Sequence, residues 1–195
     1  MIKKLMIVAF VLCWNPSSLP AFTFDNWRSG MPLEEVFDLS EKIDLPIRRD
    51  GLVSENKHFD PETSRAHADK ANIFYYKTRL FNAPARVMLG FTGESRLLYE
   101  VRVRWQGVNV KKELAPAVED MLQKKYGDPA KRGKFFSKDK AWHLDQNNRL
   151  LIEYSGAALQ LVYIDLLLEK AGLDEKKKAE KQKKDEGLKR DLNKF

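Results

Sequence analysis

Two His-x-Asp units, His58-Phe59-Asp60 and His67-Ala68-Asp69, come nearest to chemistry of any residues in this 195-residue chain. They lie in a polar, turn-rich segment from Arg48 to Asn72. Imidazole and carboxylate together can ligate Zn²⁺ or another transition metal, and a metal held by His58, Asp60, His67 and Asp69 would support a small metal-dependent hydrolase. A structural assignment competes with this. Asp60 followed by Pro61 and Glu62 has the order of a helix N-cap with proline at the first helical position.

The rest of the catalytic vocabulary is missing. The sequence holds no G-x-S-x-G, no P-loop and no H-E-x-x-H. The third histidine, His143, follows Trp142 on an expected strand and reads as a structural or edge residue. Glu34 with Glu35 has the pattern of a helix N-terminus, and Glu119 with Asp120 is expected on the solvated flank of a helix. Neither pair promises the contrasting environments that acid–base chemistry needs. No catalytic residue and no cofactor is therefore expected.

Cysteine usage narrows the choice further. The only cysteine, Cys13, falls in an N-terminal segment laid out as a secretory signal: Lys3 and Lys4, an apolar run from Leu5 to Trp14, then a polar stretch ending at Ala21. That run is shorter than the roughly 20 residues needed to cross a bilayer, so cleavage after Ala21 is expected. Leu12 is not the small residue that precedes a lipidated cysteine. Loss of Cys13 removes disulfides, thiol catalysis and thiolate metal sites together. The expected compartment is the periplasm, with no transmembrane segment after cleavage.

The elements that would position any site are organised around a near-repetition. Arg86–Val103 and Arg149–Leu166 align without a gap, each reading Arg, three apolar residues, a variable position, an aromatic, Ser or Thr, then Gly. Each copy is expected to be a β-hairpin. Leu33, Val36, Phe37 and Ser40 follow helical spacing after Pro32, predicting a helix from about Pro32 to Ile43. Phe22, Phe24 and Trp27 before it are expected to form a strand or arm packed on the core. Strands are predicted at 73–81, 85–91 and 96–105, a second amphipathic helix at 110–126, and strands at 141–145, 149–154 and 159–165. Pro116 is tolerable only near that helix's start.

The expected fold is therefore α+β: a tandem helix-plus-three-stranded-antiparallel-meander repeat with helices packed on sheet, followed by a charged C-terminal helix or tail. The domain organisation is a signal peptide (1–21), one domain (22–168) made of pseudo-repeats at about 30–105 and 110–166, and a charged tail (169–195). The segment Gly30-Met31-Pro32-Leu33-Glu34-Glu35-Val36 resembles the opening of small envelope domains such as the SmpA/OmlA outer-membrane assembly lipoproteins. Tyr126-Gly127-Asp128-Pro129 is similar to the Gly-x-Pro that closes a helix there. The resemblance implies a helix before a three-stranded meander. The chain departs from it in having no lipidation site and no Gly-x-Pro after its first helix, and no functional residue carries over.

Charge supplies the remaining clue. The formal net charge of +7 becomes +5 when Lys3 and Lys4 are removed with the signal. Lys77, Arg79, Arg86, Arg102 and Arg104 fall on strands expected to be neighbours, and a positive face attracts anionic partners. Aligning the copies pairs Tyr99 and Val101 with Val162 and Ile164 as the core face, which leaves Leu159, Leu161 and Tyr163 as an apolar opposite face. That face must be covered by the C-terminal helix or by a partner. These eight residues are the expected binding residues. The expected function is a non-catalytic periplasmic binding or assembly module engaging an envelope protein or an anionic envelope component, without nucleic acid. A soluble carrier of an amphiphile is a further alternative.

Overall fold

A computed structural model describes residues 21–49, 71–107, 110–131 and 139–192. In chain order the elements are a hairpin of β1 (Thr23–Phe24) and β2 (Trp27–Arg28), helix α1 (Leu33–Lys42), and strands β3 (Arg48–Arg49), β4 (Ile73–Leu80), β5 (Ala83–Phe91) and β6 (Leu98–Gln106). A π-helical turn, Val110–Leu114, then runs into helix α2 (Ala115–Tyr126). Strands β7 (Ala130–Lys131), β8 (Lys140–His143), β9 (Asn148–Ser155) and β10 (Ala158–Asp165) follow, and helix α3 (Leu166–Leu192) ends the described chain. The class is α+β.

Strands β3 to β10 form a single antiparallel sheet in the order β3-β4-β5-β6-β10-β9-β8-β7. Its two edge strands are two residues long, which leaves little open edge for pairing with another chain. The third strands of the two meanders, β6 and β10, join at the centre with Val101 opposite Tyr163 and Val103 opposite Leu161.

One face of the sheet carries the main core. On α1 the buried residues are Leu33, Val36, Phe37 and Ser40, the apolar spacing read from the sequence, and the Phe37 ring meets Phe74 edge-on at 5.3 Å. On α2 they are Ala115, Val118 and Leu122. Pro116 sits in the first turn of α2, where proline is tolerated, directly after the π-helical turn. The N-terminal arm is pinned to the start of β6 by backbone bonds from Gly30 to Leu98 (2.8 Å) and from Leu33 to Arg96 (3.0 Å). Trp27, fully buried, donates its Nε1 hydrogen to the Tyr76 hydroxyl at 2.9 Å.

The ungapped repetition holds for β5 and β9 and then fails. Val87 and Leu89 of β5 and Leu150 and Ile152 of β9 all lie in the main core, at the expected offset. Two residues, Gly156 and Ala157, connect β9 to β10, because Ser155 already pairs with Ala158. The β5–β6 connection runs from Thr92 to Leu97, and the ladder before it is irregular at Gly90 and Phe91. This longer connection puts β6 out of phase with β10 by an odd number of residues, and an odd slip exchanges the two faces of a strand.

The face assignment of Leu159, Leu161 and Tyr163 is corrected accordingly. They lie on the helix-covered face, with exposures of 0%, 3% and 8%, and Phe22 and Phe24 of the N-terminal arm pack their rings on Tyr163. Val162 and Ile164 occupy the outer face instead, in a second small cluster with Ala141 and Leu151, against which Leu166 of α3 packs. Strand β10 is apolar on both faces, as its sequence implies, but the C-terminal helix packs on the Val162 and Ile164 side and not on the Leu159, Leu161 and Tyr163 side expected of it.

Helix α3 begins at Leu166, three positions before the composition turns charged. The Asp165 carboxylate caps it, accepting from the amides of Leu167 and Leu168 at 3.1 Å each. It is 27 residues long, about 40 Å. Glu175 of α3 grips the β5–β6 connection: Oε2 accepts from the Glu94 amide at 2.7 Å and Oε1 from the Ser95 hydroxyl at 2.6 Å. Gly172 lies directly over Thr92, where an added Cβ would come within 3.3 Å of the threonine methyl. No helix among the described residues is long and apolar enough to cross a membrane.

Candidate ligand-binding face

The outer face of the sheet is read row by row across the ladder. One row runs Lys77, Arg86, Arg104, Gln160, Glu153, each directly opposite the next. Three cations from three successive strands therefore stand side by side. Strand alternation puts them there: Val87, Leu89, Val103 and Trp105 point to the core, so the residues between them point out. Lys77 and Arg104 are exposed and Arg86 is half-buried.

Arg86 is held in place by an aromatic neighbour. Its guanidinium carbon lies 4.3 Å from the centroid of the Tyr75 ring, a cation–π contact that leaves the in-plane N–H groups open to an oxyanion. Lys77, Arg86 and Arg104 line a shallow depression of about 320 Å³, rimmed by Pro84 and Gln106.

The remaining two predicted cations, Arg102 and Arg79, are bound within the fold. Arg102, one row away, donates to Glu100 at 2.7 Å, to Gln160 at 2.9 Å and to Glu153 at 3.3 Å. Its guanidinium pKa is raised by those carboxylates, Glu100 foremost, against the opposing effect of burial. Arg102 thus ties β6 to β9 and β10 and forms the boundary of the cationic area. Arg79 donates to the Asn82 carbonyl at 2.7 Å and braces the β4–β5 turn.

A helix-to-sheet cluster that the sequence did not reveal lies at the other end of the molecule. Glu119, expected on a solvated flank, accepts from the Tyr154 hydroxyl at 2.5 Å and from the Lys140 ammonium at 2.8 Å. Burial, then Glu119, raises the Tyr154 phenol above its usual range. Spacing on α2 alone could not show that β8 and β9 bring a lysine and a tyrosine under that carboxylate. His143 is exposed on β8, opposite Arg149.

His58, Asp60, His67 and Asp69 lie outside the described residues, as does most of the basic segment between β7 and β8. Among the described residues no group of three or more His, Cys, Asp or Glu side chains could hold a metal ion. Compared with protein-family models, curated proteins and solved structures, the chain matches none.

Proposed function

We propose that this protein is an exported, non-catalytic binding or assembly module of the cell envelope, and that it engages an anionic partner through the outer face of its first meander. The observation that carries this reading is the row Lys77–Arg86–Arg104. Like charges directly opposite across a ladder destabilise a sheet by a few tenths of a kcal/mol. An anionic surface docked on the row offsets that cost and gains from long-range attraction. Export rests on the N-terminal signal layout, and N-terminal sequencing of the purified protein is expected to begin at Phe22.

The element order supports an internal duplication. Helix, two-residue edge strand and three-stranded meander occur twice, and the strand order reads the same outward from the central β6·β10 pair. On this reading the two halves have diverged on the outer face, one basic and one apolar, so the binding surface belongs to one half. The test is capture from envelope extract at low salt by the tagged protein and by its Lys77→Glu/Arg86→Glu/Arg104→Glu variant. Loss of the acidic or phosphate-bearing captured species in the variant supports the reading; an unchanged captured set overturns it.

A further inference from the structure

The geometry of the cationic row points to a ligand class: we infer that Lys77, Arg86 and Arg104 form a site for a phosphate-type oxyanion. The inference rests on the binding reading above and narrows it. Three features distinguish a compact multi-oxygen anion from an acidic peptide. The first is charge: one carboxylate balances one of three neighbouring cations, whereas a phosphate group carries more charge and offers an oxygen to each.

The second is spacing. Cations on adjacent strands repeat at about 4.8 Å, while an extended peptide presents same-face side chains every two residues, at about 6.7 Å. An acidic strand laid across the row falls out of step after the first contact. A single tetrahedral group placed over Arg86 needs no such match, because the long Lys77 and Arg104 side chains reach it from either side.

The third is size and preorganisation. The depression holds about 320 Å³, at the small end of ligand sites, which suits a compact headgroup. The Tyr75 ring holds Arg86 in the middle of the row before any ligand arrives, and Gln106 adds an amide donor at the rim. Of the outer-face carboxylates, Glu153, which ends the row beyond Gln160, and Glu100 both bind Arg102.

Titration with inorganic phosphate tests this, followed by amide chemical shifts, with sodium acetate at matched ionic strength as the carboxylate control. The expected result is saturable phosphate binding with shifts confined to β4, β5 and β6, and at least tenfold weaker binding in Arg104→Gln and in Arg86→Gln. Equal responses to phosphate and acetate, or binding unchanged in both variants, would overturn it. Flotation with phosphatidylglycerol vesicles against phosphatidylcholine vesicles distinguishes the source. Capture by the former that fails in the same variants assigns a lipid headgroup, and phosphate binding without vesicle capture assigns a soluble or polymer-borne phosphate. If phosphate fails while charge reversal still abolishes partner capture, the phosphate assignment falls and the binding reading stands.

Discussion

Arg86 stands directly opposite Arg104 across the β5–β6 ladder, with Lys77 opposite Arg86 on its other side. A sheet selected for stability alone would alternate charges there. Replacing Arg104 with threonine, a good strand former, is therefore expected to raise stability by roughly 0.2–1 kcal/mol at low ionic strength. The gain should shrink in 1 M salt, where the screening length is about 3 Å. Thermal denaturation of the two proteins in both buffers checks it, and a variant less stable than the parent at low salt would show that Arg104 is held by favourable contacts within the fold.

The corrected face of β10 makes its own prediction. Leu161 is 3% exposed beneath the helices, so Leu161→Ala should cost about 2–5 kcal/mol through lost burial and the cavity left behind. Denaturant unfolding reads this directly. A cost below about 0.5 kcal/mol would return Leu161 to the surface.

How far the chain could be read follows from the same strand. Helical spacing in α1 and α2 and two-residue alternation in the long strands are local properties, and they identified both helices, six strands and the buried arm residues. The pairing of β6 with β10 is not local. It depends on the β5–β6 connection being longer than the two-residue turn between β9 and β10, and an ungapped alignment hides that difference. An ungapped alignment therefore puts Leu159, Leu161 and Tyr163 on the wrong face and assigns the true outer residues, Val162 and Ile164, to the core. Of the five predicted cations, alternation placed all five outside the main core, but only the ladder register separates Lys77, Arg86 and Arg104 from Arg102, which Glu100 and Glu153 engage.

Glu175 predicts an acid-side response of the α3 contact. Its carboxyl pKa lies below the usual range, chiefly because the Ser95 hydroxyl donates to it, with the Glu94 and Ser95 amides adding to the effect. A lowered folded-state pKa gives a contribution present above the unfolded value of about 4.3 and lost as pH falls through the folded value. The protection of the Glu94 and Ser95 amides, each corrected for its intrinsic exchange rate and compared with core amides, should fall on acidification. Glu175→Gln should show fast exchange at both amides already at neutral pH. Equal protection in the variant and the parent would mean that the loop is held by other contacts.

On the alkaline side the buried phenols set the limit. Burial pushes Tyr76 up to about 12 despite its bond from Trp27, and Tyr154 and Tyr163 are raised above the usual range as well. Groups with raised folded-state values contribute stability fully below the unfolded value of about 10, and that contribution is lost as pH climbs through the folded values. Ultraviolet titration should show these tyrosines ionising together with unfolding. Ionisation of every tyrosine near pH 10 in the folded protein would contradict their burial.

The proposed meeting point with a partner is the outer face of the first meander, at Arg86 and Arg104. Arginine-specific labelling of the protein, free and after loading with the captured envelope fraction, measures this at single residues. Arg86 and Arg104 are expected to become protected on loading while Arg28, exposed on the N-terminal hairpin, reacts at the same rate in both states. Equal labelling of Arg86 and Arg104 in the free and loaded protein would contradict it.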